Sequence, residues 1–294
     1  MTASRKAEAA RQAQRHTRWL LACLLLMAWP ALAMNVQVLG AAGAQGETFV
    51  KALAQTLGPE HGVNGDETPE LVVALHEGVL AEARALQKPV LVLLPDAGVA
   101  LLPGEGALYW APDWRQQLQL ARVIFPGLRR VGLLTDVPVE PAQVAALRAS
   151  AAARDLRLQW RQIDAEAPLR DVAELAAAND VLLAGATSRL FARDLMRPVL
   201  LAAYRQNRVF IGGGPAAVRA GTLASLHAGP EQLAEEAASR IRARLRDGRW
   251  PVPSRLQRFE VLTNPQVARA LGLRLPEADA LTRAWRTEEG VTWP

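Results

Sequence analysis

From Met34 onward the chain repeats one pattern, in which a short apolar run is followed by an amphipathic stretch and then by another apolar run. Residues 36–39, 71–75, 90–94, 131–134, 156–163, 181–183 and 209–211 read as strands. Residues 45–57, 79–86, 113–125, 141–154, 169–178 and 190–204 between them read as helices, the third capped by Asp113 and closed by Pro126-Gly127. Such strands, linked by helices of this length, form parallel sheets covered on both faces. Two such series meet in a loose, Gly- and Pro-containing middle (96–112) and rejoin later. The fold class expected is therefore α/β, with two Rossmann-like lobes of parallel sheet joined by a multi-strand hinge.

The rejoining stretch is 208–248. An apolar strand (209–211) leads into Gly212-Gly213-Gly214, a short helix (215–219), a second strand (223–226) and a long helix from Pro230 to Asp247. That helix has Pro in its first turn, Glu231, Glu235 and Glu236 near its start, and arginines at 240, 242, 244 and 246, which complement its dipole. Leu233, Ala237, Ile241 and Leu245 are its expected buried stripe. Asn264 caps a later helix to Leu271, and only a partial helix (278–285) is legible in the tail.

Half of the 294 residues are hydrophobic, enough to bury a sizeable core. The net charge of +5 sits mainly in residues 1–33, which carry five basic side chains and one acid. The remaining 29 basic and 28 acidic side chains leave no polyanion-binding balance, and no nucleic-acid partner is expected. Residues 1–33 also hold an apolar run from Trp19 and the motif Ala31-Leu32-Ala33, the build of a signal peptide cleaved after Ala33. The alternative is an uncleaved membrane anchor. The single cysteine, Cys23, lies inside that segment, so the exported chain would have no disulfide or thiolate site. Periplasmic localisation follows as the expectation.

Among motifs with chemistry, Gly40, Gly43 and Gly46 follow a strand and open a helix, as in a dinucleotide-binding turn. The acidic residues some 20 positions on, Asp66-Glu67, have no strand before them, so the fingerprint is incomplete and no cofactor is expected. His61, His76 and His227 have no paired metal-ligand spacing, so no metal is expected either. No nucleophile elbow or phosphate loop appears, and no catalytic residue is assigned. His76-Glu77 and Asp96 follow buried strands and suit either a cleft or a polar loop. Tyr109 and Trp110 suit either stacking on a planar ligand or packing of the crossover. Thr135 and Asp136 end the strand at 131–134 and have the position of cleft residues.

Three blocks carry a family resemblance: RQQLQLARVIFPGLRRVGLLTD (115–136), NRVFIGGGPAAVRAGTLASLHAGPEQLAEEAASRIRARLRDGRWP (207–251) and FEVLTNPQVARALGLRLP (259–276). In this order they resemble ABC-transporter substrate-binding proteins of the type I periplasmic-binding-protein fold, in the group that includes aromatic amino-acid binders. The resemblance spans residues 71–280. It implies a first lobe at 34–112, a second at 113–221, a return to the first at 222–250, a closing strand and helix on the second at 251–280, and a tail at 281–294. It also implies a hinge of three crossovers, a clamped small molecule and no catalysis. The partners implied are a small-molecule ligand and an ABC permease or other inner-membrane receptor, with the binding protein monomeric. The same fold used as a periplasmic sensor or accessory module is the alternative.

Two departures from the family stand out. The first lobe is short, since only residues 58–70 stand where relatives have another strand and helix. Thr187-Ser188 and Gly213 stand where relatives often place acidic or polar ligand contacts, so an amino-acid ligand would lose partners for its ammonium group.

Overall fold

A computed structural model describes residues 34–136, 138–163, 166–185, 189–192 and 194–288. The expected leader and its cleavage site, and Thr187 and Ser188, lie outside the described residues.

The central apolar runs become strands buried on both faces, as in Leu71–Ala74, Val90–Leu94 and Val181–Ala184. In the first lobe, β1 (Asn35–Leu39), a two-residue β2 (Gly62–Val63), β3 (Leu71–Ala74), β4 (Val90–Leu94), β5 (Gly106–Tyr109) and, from far along the chain, β11 (Ser254–Arg255) form one sheet. Its order is β11-β5-β4-β3-β1-β2, and every neighbouring pair is parallel. In the second lobe, β6 (Arg130–Thr135), β7 (Arg157–Gln162), β8 (Val181–Ala184), β9 (Val209–Gly212), β10 (Ala224–His227) and β12 (Glu260–Thr263) form the other. Its order is β12-β10-β9-β8-β6-β7, with β12 antiparallel and the rest parallel. The fold is thus α/β with two parallel-dominated sheets, each of six strands among the described residues.

Helices α1 (Gly43–Leu57) and α2 (Leu80–Ala85) cover the first sheet. The second lobe begins with α3 (Trp114–Ile124), whose N-terminus is a reciprocal capping box. Asp113 Oδ1 accepts from Gln116 N at 2.8 Å, and Gln116 Oε1 accepts from Asp113 N at 2.9 Å. It continues through α4 (Pro141–Ala152), α5 (Pro168–Ala178), α6 (Met196–Tyr204) and α7 (Gly214–Ala220). The long helix α8 (Pro230–Asp247) returns to pack along α1, and α9 (Pro265–Ala270) and α10 (Ala278–Glu288) finish the second lobe.

The structure amends the sequence-based map at six places. Residues 58–70 are not all loop, because Gly62 and Val63 pair with Asn35 and Val36; Asn64 then stops the strand at φ 52° while its Oδ1 accepts Val38 N at 2.7 Å. The segment 96–112 contains β5, hidden from periodicity by Gly106, where a Cβ would stand 2.6 Å from Trp250 Cδ2. The helix expected over 190–204 begins only at Met196, so that Pro198 falls in its first turn, where an amide hydrogen has no intrahelical partner.

Strand β10 belongs to the second sheet, paired with Ile211 and with Glu260–Thr263, so the return to the first lobe comes after His227 and not at 222. The buried face of α8 is Ala234, Ala237, Ala238, Arg240 and Ile241, while Leu245 remains 43% exposed. Small alanines let α8 lie close on α1, and Arg240 turns inward, donating to Ala107 O (3.1 Å), Val252 O (3.4 Å) and Ser254 Oγ. Finally, the tail holds a full helix, α10, anchored by the completely buried Trp285 against Phe259.

The chain passes between the sheets at 110–113, 228–229 and 256–259. Three crossovers thus join the lobes, and one buried apolar cluster runs through both of them.

Candidate ligand-binding cleft

Parallel sheets leave a depression beyond the carboxyl ends of their strands, where turns bring backbone and side chains together. Here both lobes turn those ends toward one cavity of about 500 Å³. From the first lobe it is lined by Gly40 and Ala42 after β1, Leu75 and His76 after β3, Leu93 of β4, and Trp110 after β5. The first turns of α1 add Gln45, Gly46 and Phe49. The second lobe contributes Gly214, Pro215, Ala216 and Arg219 of α7, and Leu226 and His227 of β10. Ala228, Pro230 and Leu233, on and beyond the second crossover, close one side.

Local sequence explains much of this wall. Gly40 adopts φ 82°, and a Cβ there would stand 2.7 Å from His76 Nε2, so the glycine lets the imidazole lie over the β1 turn. Gly46 lets α1 start against the preceding backbone, since a Cβ there would meet the carbonyl carbon and oxygen of Ala41 at 2.3 Å. Gly213 (φ 81°) turns the chain from β9 into α7, with a would-be Cβ 2.5 Å from the Phe191 ring.

Of the residues singled out from sequence, His76 and Trp110 line the cavity. Gly213 directly precedes Gly214, which does. Glu77 is exposed on the 3-10 turn Glu77–Val79, beside but not in the wall. Asp96 is exposed and its Oδ1 accepts Gly98 N at 3.0 Å, which makes it a turn residue here. The Tyr109 ring lies 6.0 Å from the Arg255 guanidinium, whose Nη1 also donates to Pro95 O and Ala111 O at 3.2 and 2.7 Å. Thr135 is buried, and its Oγ1 accepts Trp160 Nε1 at 3.0 Å. Asp136 is half-buried at the end of β6, off the cavity wall.

Sequence reasoning passed over Gln45, Phe49, Arg219 and Leu233 as wall residues, and weighed His227 only as a metal ligand. Burial pushes the His227 imidazole below its ordinary range, and the nearby carboxylates of Glu260 and Glu231 oppose that shift. Among the described residues no group of three His, Cys, Asp or Glu side chains is arranged to hold a metal ion, and none of their helices is long and apolar enough to cross a membrane.

This geometry defines the class: a two-lobed α/β fold of the type I periplasmic-binding-protein kind, with its cavity between the lobes. Solved structures of that kind are similar to the chain. One is a substrate-binding protein with adhesive properties from Clostridium difficile, in a ligand-free, open structure, with TM-score 0.63, 17% identity, and coverage of 83% of this chain and 97% of that one. A second is a periplasmic ribose ABC transporter protein from Conexibacter woesei, with TM-score 0.52, 13% identity, and coverage of 85% and 97%. A third, an ABC domain from Streptococcus pneumonia in complex with L-Trp, has TM-score 0.51, 14% identity, and coverage of 86% and 98%. No protein-family model matches the chain, and no curated protein matches it in sequence.

Proposed function

We propose that the chain is an exported solute-binding protein that closes its lobes over a small molecule and presents it to an ABC-type permease. The observation that carries this reading is the interlobe cavity, walled by strand ends of both sheets and by residues of the crossovers at 110–113 and 228–229. Its volume of about 500 Å³ falls among small-molecule pockets, which span roughly 300–1,000 Å³. In this reading His76 and Trp110, with Gln45, Phe49, Arg219 and His227, contact the ligand, and Gly213 sets the turn that brings α7 to it. The binding proteins named among the similar structures support the reading through their shared fold.

A thermal-shift panel of amino acids, purines, sugars and organic acids tests it. A bound member raises the melting temperature in proportion to the logarithm of its concentration above Kd. Small-angle scattering should then show a smaller radius of gyration as the lobes close. A panel without any shift, together with recovery of a membrane receptor in place of a permease, would move the assignment to a periplasmic sensor.

A further inference from the structure

We infer that the ligand of this cleft is an organic anion, a carboxylate on an apolar ring-sized body that lacks an ammonium group. The inference rests on the solute-binding reading above and narrows its ligand.

The titratable side chains that line the cavity are His76 from the first lobe and Arg219 and His227 from the second; among the described residues no carboxylate lines it. None of the three makes a side-chain hydrogen bond or ion pair with another described residue. The guanidinium of Arg219 presents a fork of donors matched to a carboxylate. Glu231 and Glu260, which act on His227 from α8 and β12, are exposed and stand outside the wall.

The start of α1 works in the same direction. Ala42, at its N-cap, has no side chain able to accept an amide hydrogen, and no acid occupies the first turn. Ala42, Gln45 and Gly46 all line the cavity, so the positive end of a fifteen-residue helix is turned toward the ligand without an acidic cap.

The rest of the wall is apolar, with Phe49, Leu75, Trp110 and Leu226 supplying rings and branched chains. An ammonium group enclosed there would lose its water and gain no counter-charge, whereas a carboxylate would gain Arg219. An apolar acid therefore satisfies both halves of the wall, and an apolar amine satisfies only the apolar half.

Calorimetry on the exported chain with phenylacetate, phenylalanine and phenethylamine tests this, since the three share a ring and differ in charge. Phenylacetate should bind about tenfold or more tighter than phenylalanine, and phenethylamine should not bind. Arg219→Gln should weaken phenylacetate about tenfold, with Arg219→Lys recovering part of the loss. Tighter binding of phenylalanine or phenethylamine, or an unchanged phenylacetate Kd in Arg219→Gln, would overturn the anion assignment and leave solute binding standing. So would silence from all three probes while a sugar or nucleoside raises the melting temperature. Silence across the whole panel would overturn solute binding as well.

Discussion

The imidazole of His76 lies so close over Gly40 that a methyl group at position 40 would stand 2.7 Å from Nε2 and 2.9 Å from Cδ2. The β1 and β3 turns are thereby fitted to each other at the floor of the cleft, and the fit depends on a residue that tolerates φ 82°.

Gly40→Ala should therefore cost about 1–2 kcal/mol from the left-handed backbone alone. It should also push His76 from its place. The expected outcome is a melting temperature lower by a few degrees and a larger proportional loss of ligand affinity. Gly43→Ala is the control for backbone strain, because Gly43 has φ 80° but nothing within 4 Å of a would-be Cβ. Calorimetry on both variants separates strain from displacement of His76. Equal affinities in the two would deny His76 a role in the wall.

A second prediction concerns α10. Gln119 Nε2 donates to Trp285 O at 2.8 Å, and Trp285 Nε1 donates to Gln116 O at 3.2 Å, both in buried surroundings. Thr282 Oγ1, on the same helix, accepts Val261 N of β12 at 2.9 Å, in place of a further strand at that edge. Trp285→Ala should cost about 3–5 kcal/mol, the usual range for emptying a buried aromatic site. Denaturant unfolding measures it, and a change below about 1 kcal/mol would mean that α10 does not dock as described.

Arg240 supports a third. It is 5% exposed and holds together α8, β5 and the start of β11. Burial pulls its guanidinium below the ordinary range for arginine, and Glu236, one helical turn earlier, opposes this. Arg240→Ala leaves the carbonyl oxygens of Ala107 and Val252 without these donors, at an expected cost of about 2–4 kcal/mol. Hydrogen exchange should show faster opening of β11 with β6 unaffected, whereas uniform acceleration through both sheets would contradict a local role.

The lobes and most of their strands were legible because a parallel sheet buried on both faces leaves continuous apolar runs such as Val90–Leu94. Asp113 and Asn264 were legible as caps because their side chains bond to amides two or three residues on. What escaped was set by partners distant in sequence. Strand β5 is marked by Gly106, whose purpose is visible only with Trp250 laid on it. Arg240 reads as a dipole-complementing surface cation until the carbonyls of Ala107 and Val252 come within reach. In the cleft, His76 drew notice because it follows the apolar run 71–75, and Trp110 because an aromatic ring in a crossover suits a planar ligand. Phe49 sits within α1 and Arg219 in the last turn of α7, where sequence does not say which face meets the other lobe.

The last prediction is a dependence on pH. His227 ends β10 beside the second crossover, half-buried, with Glu260 opposite it across the antiparallel pair and Glu231 on the first turn of α8. Burial depresses its folded-state pKa more than the two carboxylates raise it. Between that value and the unfolded value of about 6.5, the unfolded chain binds more protons than the folded one at this site. Stability from this residue is therefore complete above about pH 6.5 and is lost as pH falls through the folded-state pKa. Urea midpoints at pH 8, 6 and 5 should fall more steeply in the unaltered chain than in His227→Asn, which has no imidazole to charge. Parallel slopes would show that His227 takes up its proton as readily folded as unfolded. Glu260→Gln should act in the opposite sense to His227→Asn, steepening the fall, because it removes a charge that favours the imidazolium across the β10–β12 pair.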